Sequence, residues 1–405
     1  MEYLFTERAH LMCPDMNFGI ALKVKAEFDA VRIRRSFLTL AGAHPFLNAL
    51  IGYDEKKNAY FYDIKDSSKV EINIQENELT SLDSLEIISE YESMTGYDWN
   101  LLNRGMLKAS VWKMGRYTCF LLVFHHLLTD GKGALNLAKE LAAVYADNVM
   151  PEDAPEKLIS SVNDLPKDSR MPLVNKMLID NTNRNWTSER NKPLTYKEYH
   201  EFAEDFVKSD RIVHYLKKTD KDEMSRIMSS CRDTGITIND LLLAKMYINE
   251  GIDKITVASD VRDKFDFCVP GSLGNFSTSF SVVVKKKSRD PYSLAKEVHK
   301  AVHKYISKPS EKFLMLQYCA NLYPEILDAA FMASRNAYKS KSAAFIGKTI
   351  FGFGAPDGYS ITNLGKIESS NISAAFFIPP ASPAMKKTQG VLTVNGKMMI
   401  CTSER

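Results

Sequence analysis

The stretch "FHHLLTDG", residues 124–131, gathers the side chains of this chain best equipped for proton chemistry: His125, His126 and Asp130, followed by Gly131. Imidazole is the side chain whose ordinary pKa lies near neutrality, so a positioned neutral ring can take a proton from a hydroxyl or amine and return it later. The chain holds 8 histidines in 405 residues, and two of them stand side by side here. Side chains alternate along a strand, so one ring of the pair reaches a given site while the other braces it. An arbitrary histidine pair is more often hydrogen-bonded core than chemistry, and the surrounding sequence has to decide.

Rival constellations are thinner. His299 and His303 in "KEVHKAVHKYI" have the i, i+4 spacing of a two-histidine metal pair, but the glutamate of H-E-x-x-H is missing and Glu297 is off pattern. That favours a packed or solvated helix face, and no metal site is expected. Cys119 stands on the opposite strand parity from His126 and reads as core rather than as a nucleophile. The hydrolase elbow G-x-S-x-G is missing, the nearest text being "GYSIT". "GFGAPDG" at 352–358 lacks the Lys-Ser/Thr of a phosphate loop. The run "KKKSR" at 285–289 could meet a coenzyme A phosphate or an acidic carrier protein, yet it closes a strand candidate and suits a solvated terminus better.

Periodicity supplies the elements that position the pair. "LKASVWKMGRYTCFLLVF" reads as a hairpin around Met114-Gly115-Arg116, and its second arm, 118–124, is apolar on both parities, as in a sheet covered on both faces. After Gly131, apolar residues at 134, 137, 138, 141 and 145 form a helical stripe capped by Thr129 or Asp130. The histidines thus sit between a buried strand and a helix, a junction where chemistry is often placed.

Upstream, "FDAVRIRRSFLTLAGAHPFLNAL" predicts an amphipathic helix with Val31, Leu38 and Ala41 among its apolar residues, stopping at Gly42 and Pro45. From about 147 to 194, prolines and polar runs predict a long crossover. Beyond it come a helix closing at Gly235, another capped by Thr237 with Asp240, strands at "KITVAS" and "FSTSFSVVV", and helices around 291–307 and 311–338. Strands at "YSITNL" and "AAFFI" and a terminal hairpin turning at Asn395-Gly396 complete the chain. Strands and helices alternate in both halves, which predicts α/β or α+β lobes.

Composition narrows the partners. Fifty-three Lys+Arg against 50 Asp+Glu leave a net +3, too balanced to suggest nucleic acid. Six cysteines are scattered without a C-x-x-C pair, which suits reduced thiols in a cytoplasm. "MEYLFTERAH" lacks the apolar core of a secretory signal, and "CFLLVF" is too short to span a bilayer, so a soluble protein is expected.

"HHLLTDG" matches HHxxxDG, the motif of the condensation-domain and chloramphenicol-acetyltransferase-like superfamily, at His125, His126, Asp130 and Gly131. "AVRIRRSFLTLAGAHPFLNALI" resembles the family's first long helix with its HPxLR ending, and "DTGITINDLLLAKM" the helix that opens the second lobe. "SDVRDKF" and "LGNFSTSF" resemble the region facing the histidines, and "YSITNLGKI" is similar to the SNLG segment of stand-alone alcohol acetyltransferase-like members. The likeness runs from about residue 20 to the end. Where HPxLR carries arginine this chain has Asn48, so Arg262, Arg8 or Arg104 would have to pair with Asp130, Arg262 being the first choice.

The resemblance implies two chloramphenicol-acetyltransferase-like sandwiches in a V around a channel. Their expected bounds are 1–160 for the lobe with the motif, 161–195 for a crossover and 196–405 for the second lobe. It further implies an acyltransferase with His126 as general base, His125 and Asp130 holding its loop, and Gly131 keeping the turn into the helix clear. Asn275, Ser277, Thr278 and Asn363 would face substrate, the last three as candidate donors to an oxyanion. No permanent cofactor is implied: acyl-CoA is the first choice of donor, a diffusing acyl-carrier protein the second, and a small alcohol or amine the acceptor. One chain with two lobes closes such a channel by itself, which favours a monomer. The alternatives are a free-standing condensation enzyme that joins carrier-bound units as amides, and a non-catalytic member that recruits a partner.

Overall fold

The computed structural model describes residues 2–153, 155–285 and 288–405, so the basic run at 285–289 falls partly outside the described residues. The first part of the chain runs β1 (Glu2–Tyr3), α1 (Arg8–Leu11), β2 (Asn17–Val24), α2 (Ala30–Ala43), β3 (Ala49–Asp54), β4 (Ala59–Ile64), β5 (Glu71–Glu78), α3 (Leu85–Thr95), β6 (Leu107–Met114), β7 (Tyr117–His125) and α4 (Gly131–Asp147). Then come α5 (Leu173–Glu189), α6 (Tyr196–Ser209), β8 (Val213–Thr219), α7 (Lys221–Thr234), α8 (Ile238–Glu250), β9 (Lys254–Asp260), β10 (Ser277–Val283) and α9 (Pro291–Ile306). The last part is α10 (Pro309–Lys312), α11 (Leu314–Asn321), α12 (Pro324–Ser334), α13 (Lys341–Thr349), β11 (Gly358–Ile367), β12 (Ile372–Ile378), β13 (Met385–Val394) and β14 (Lys397–Glu404). Five strands in the order β12-β2-β7-β6-β5 form the sheet of the first lobe, six in the order β10-β9-β11-β13-β14-β8 that of the second, and β1, β4 and β3 a small third sheet.

β7 lies between β2 and β6, antiparallel to both. On one face Phe120 meets Phe37 of α2 and Tyr145 of α4. On the other, Gly19, which pairs with Val123, lies so close to Tyr91 of α3 that a Cβ would sit 3.0 Å from its ring. Helices therefore cover both faces, which is why both parities of 118–124 are apolar. Emptying the space of Phe120 would cost about 3–5 kcal/mol.

α4 buries the stripe at 134, 137, 138, 141 and 145, and Asp130 is its cap. α2 departs from expectation: Val31 and Leu38 are 79% and 65% exposed, and the core face is Ile33, Phe37, Leu40 and Ala41. At about 100° per residue, positions 31 and 38 fall on the side opposite that quartet.

The stretch from 147 to 194 is not a bare crossover, because it holds α5. This helix buries Ile179, Thr182, Asn183 and Trp186, spaced i, i+3, i+4, i+7, and two of the four are polar. Asn183 donates to the Asn321 carbonyl and accepts from the Tyr323 N–H, which satisfies it in the interior. The helix expected over 311–338 is broken into α10, α11 and α12, with Pro324 in the first turn of α12, and α13 was not foreseen.

Residues 196–405 do not form a closed lobe. Tyr196 and His200 of α6 bond to Trp99 and Asp98 of the first lobe, and β12 runs antiparallel to β2 in the first lobe's sheet. Phe377 of β12 packs edge-on against Phe18 of β2. The terminal hairpin turns at Asn395 and Gly396, both at positive φ (49° and 79°), as a type I′ turn requires.

Candidate active site

β7 ends at His125, and the chain leaves the sheet with its two imidazoles on opposite sides. The His126 ring meets Phe18 edge-on at 5.3 Å, and the His125 ring lies 6.3 Å from Trp99. His125 is buried, and its Nδ1 accepts from the Leu127 N–H at 3.2 Å. Burial, with smaller contributions from His126 and Lys108, drives its pKa down to about 3. It is a neutral brace for the turn that follows.

His126 is half-buried, and its backbone N–H donates to the Met16 carbonyl at 3.0 Å. Its ring stacks on that of His10 at 4.7 Å and 18°, and its Nδ1 stands 3.1 Å from Nδ2 of Asn275. Burial pushes its pKa below the ordinary value, while the Asp130 charge and a bond to its own backbone carbonyl work the other way. The ring is therefore neutral at pH 7 and able to accept a proton. Nδ1 is engaged by the Asn275 side chain, and Nε2 is the ring nitrogen left to meet a substrate. The Asn275 side-chain oxygen accepts from the Ser277 N–H at 3.3 Å and from its hydroxyl at 2.8 Å, which fixes the amide beside the ring.

Asp130 joins the lobes. Its Oδ1 accepts from the Lys132 and Gly133 N–H groups, which caps α4, and from Nη2 of Arg262, all at 2.9 Å. Its Oδ2 accepts from the Phe276 N–H at 2.8 Å and from the same guanidinium at 3.0 Å. Arg262 follows β9 and also meets Asp260 at 2.9 Å. Burial opposes the guanidinium charge, and the two carboxylates more than offset it. Thr129 and Gly274 bridge, and the Gly274 N–H donates to the Leu128 carbonyl at 3.1 Å, so the turn after the histidines is tied to the loop before β10. Arg8 is engaged elsewhere, by Asp328, Arg104 by Glu71, and Asn48 donates to the Ala41 carbonyl.

Gly131 opens α4 against β11: a Cβ there would lie 2.7 Å from Leu364. Gly133 is under stricter constraint, since its Cβ would lie 2.0 Å from the Thr129 hydroxyl, and nothing in the helical text singled it out. Thr278 donates its hydroxyl to the Lys312 carbonyl and Ser277 donates to Asn275, while Asn363 accepts from the Gly365 N–H within β11. His125, His126, Asp130, Gly131, Arg262 and Asn275 thus converge, and Thr278 and Asn363 are engaged away from the base. His10, which faces the base directly, escaped the sequence reading.

His299 pairs with Asp240 at 2.8 Å, and among the described residues no cluster of three or more His, Cys, Asp or Glu could hold a metal ion. Cys119 is buried, which pushes its thiol up to about 12. No helix among the described residues is long and apolar enough to cross a membrane.

Two α/β lobes meeting over a neutral histidine, with its loop pinned across the junction by a buried aspartate, define a chloramphenicol-acetyltransferase-like fold. A family model described as the condensation domain matches residues 12–261, more than half of the chain, and the chain belongs to the condensation-domain family. Condensation domains transfer acyl groups, and they act on thioesters bound to carrier proteins.

Solved structures similar to it include the epimerization domain from the third module of tyrocidine synthetase B (TM-score 0.59, 14% identity, covering 99% of this chain and 87% of that one). Another is the first condensation domain of the calcium-dependent antibiotic synthetase in complex with a substrate analogue (0.60, 11%, 100% and 91%). A third is polyketide synthase associated protein 5 from Mycobacterium tuberculosis (0.58, 13%, 100% and 92%). Identities this low show a shared fold. No curated protein matches the sequence.

Proposed function

We propose that this protein is an acyltransferase that moves an acyl group from a thioester to a hydroxyl or amine, with His126 as general base and no acyl-enzyme. The observation that carries the reading is the neutral His126 ring at the junction of the lobes, oriented at Nδ1 and braced by His125, Asp130 and Arg262. The acceptor O–H or N–H gives its proton to Nε2 as the oxygen or nitrogen attacks the thioester carbonyl. The tetrahedral oxyanion then collapses, the C–S bond breaks, and the proton on Nε2 passes to the departing thiolate. Protons balance within one ring, so no second acid is required.

Acyl-CoA is the first choice of donor, on the likeness of "YSITNLGKI" to the SNLG segment of stand-alone alcohol acetyltransferase-like members. A diffusing acyl-carrier protein is the second reading, favoured by the family's use of carrier-bound thioesters and consistent with amide formation. A module that only recruits a partner has no use for a neutral base oriented at the junction of the lobes. Both lobes lie in one chain, which supports a monomer.

Free thiol released from a panel of acyl-CoAs, and from the same acyl groups on carrier proteins, with mixed alcohols and amines as acceptors, tests the reading. Acceptor-dependent release from acyl-CoA supports it as stated. Release only from carrier-bound donors moves it to the second reading. No release from either would contradict acyl transfer.

A further inference from the structure

His10 lies outside the HHxxxDG motif, yet its ring lies face to face with the His126 ring, 4.7 Å away and inclined by 18°. The His10 ring is half-buried, and neither of its nitrogens has a hydrogen-bond partner among the described residues. The backbone that carries it is anchored. Arg8, two residues earlier, binds Asp328 of α12 through two bonds of 2.9 and 2.6 Å with both side chains buried, and it lies 5.0 Å over the Tyr60 ring. The backbone N–H of His10 donates to the Glu7 carbonyl at 2.8 Å. A ring on an anchored backbone, stacked on the base with a donor and an acceptor both unused, is placed for a polar contact that the described residues do not provide.

Burial, reinforced by the neighbouring His126 and His125, holds the His10 pKa well below the ordinary value, so the ring is neutral and keeps one N–H. A neutral imidazole donates to an oxyanion without placing a second positive charge beside the imidazolium that forms on the base. The hydroxyls of Ser277 and Thr278 are already donating elsewhere. Face-to-face rings have their edges side by side. A tetrahedral centre, which carries the attacking atom and the oxyanion on one carbon, can span that spacing with a hydrogen bond of about 3 Å to each ring.

We propose that His10 is a catalytic residue that donates its ring N–H to the oxyanion of the tetrahedral intermediate beside His126. The inference rests on the acyltransferase reading above. The competing role for a stacked ring is to position His126 by its face alone, and the two roles predict opposite rescues. His10→Phe keeps the stacking surface and removes the N–H. His10→Asn places an amide donor near the position of Nδ1, and His10→Gln places one near Nε2.

The experiment measures kcat and KM for wild type, His126→Ala and the three His10 variants with whichever thioester donor the wild type uses, beside their thermal melts. An oxyanion donor predicts that His10→Phe melts like wild type but loses kcat by about 10²-fold or more with KM little changed, and that one amide variant recovers at least tenfold of the loss. Full activity in His10→Phe overturns the inference and assigns the role to the ring face, and an equal loss in all three overturns it too, because neither amide donor then restores what the imidazole supplied. If wild type turns over, His126→Ala does not, and His10→Phe is unimpaired, this inference falls alone. A wild type silent with every donor, or a His126→Ala variant as active as wild type, removes the acyltransferase reading and this inference with it.

Discussion

Asp130→Asn isolates what the buried aspartate contributes, because the substitution changes charge and donor pattern with almost no change of shape. In the native site the carboxylate accepts from three backbone N–H groups, those of Lys132, Gly133 and Phe276, and from Arg262 on both oxygens. The asparagine carbonyl can keep the two capping bonds to α4. Its NH2 group then faces the Phe276 N–H and the guanidinium, so donors meet donors. The aspartate side chain is 3% exposed and that of Arg262 15%, so water cannot replace the lost acceptor freely. Removing one partner of a buried ion pair costs about 3–5 kcal/mol, and the Asp260 contact left to Arg262 at 2.9 Å places the expectation near the lower end, about 3 kcal/mol.

The assay is urea unfolding followed by tryptophan fluorescence for wild type, Asp130→Asn, Arg262→Met and the double variant. Residues in direct contact do not add, so the double variant, which also removes the stranded charge, should be more stable than the sum of the single losses predicts. Asp130→Asn within about 0.5 kcal/mol of wild type, or strictly additive losses, would refute the argument that this pair locks the two lobes together.

Two further outcomes concern pH. Because burial holds the His126 pKa below its ordinary 6.5, kcat/KM should rise with pH through a midpoint under 6.5 and stay level across neutrality; an acid limb centred at or above 7 would contradict a neutral base. His44, at the end of α2, is buried against its own charge, but Glu140 at 2.7 Å and Glu156 at 3.2 Å more than offset this and raise its pKa to about 9. Burial raises the Glu156 carboxyl too, which works against that half of the cluster, and the partly exposed Glu140 is the firmer partner. Since the folded value exceeds the unfolded 6.5, this contribution to stability is fully present below 6.5 and lost as pH rises through about 9. Denaturation midpoints measured from pH 6 to 9.5 should fall in wild type and fall less in His44→Gln, and parallel curves would rule the cluster out as the cause.

The motif and its flanking elements were legible because they are local. A strand apolar on both parities, a cap and a helical stripe occupy the consecutive positions 118–145, and each follows from alternation or from the 3.6-residue period. Arg262 was reachable by a different route, since a buried carboxylate demands a cation and the resemblance of "SDVRDKF" to the region facing the histidines offered one. His10 was not reachable. A ring stacked on another more than a hundred residues away leaves no periodic trace, and the short helix that holds it depends on Arg8 reaching Asp328 in the other half of the chain. β12 is similar, because "AAFFI" satisfies strand alternation equally well in either sheet, and only tertiary packing beside Phe18 selects the first. α5 was obscured by its own buried face, where Thr182 and Asn183 stand at positions that a hydrophobic pattern would give to leucine. Val31 and Leu38 misled in the opposite sense, as large aliphatic side chains left in solvent are common on protein surfaces.

The central claim is that His126 carries the proton in an acyl transfer. The most direct test compares thiol release by wild type and His126→Gln, a substitution that keeps polarity but not basicity, at pH 7.5 with the same acyl thioester and acceptor pool. The account predicts turnover by wild type and a loss of about 10²-fold or more in kcat for the variant, with its thermal melt unchanged. Equal rates in the two proteins would contradict it.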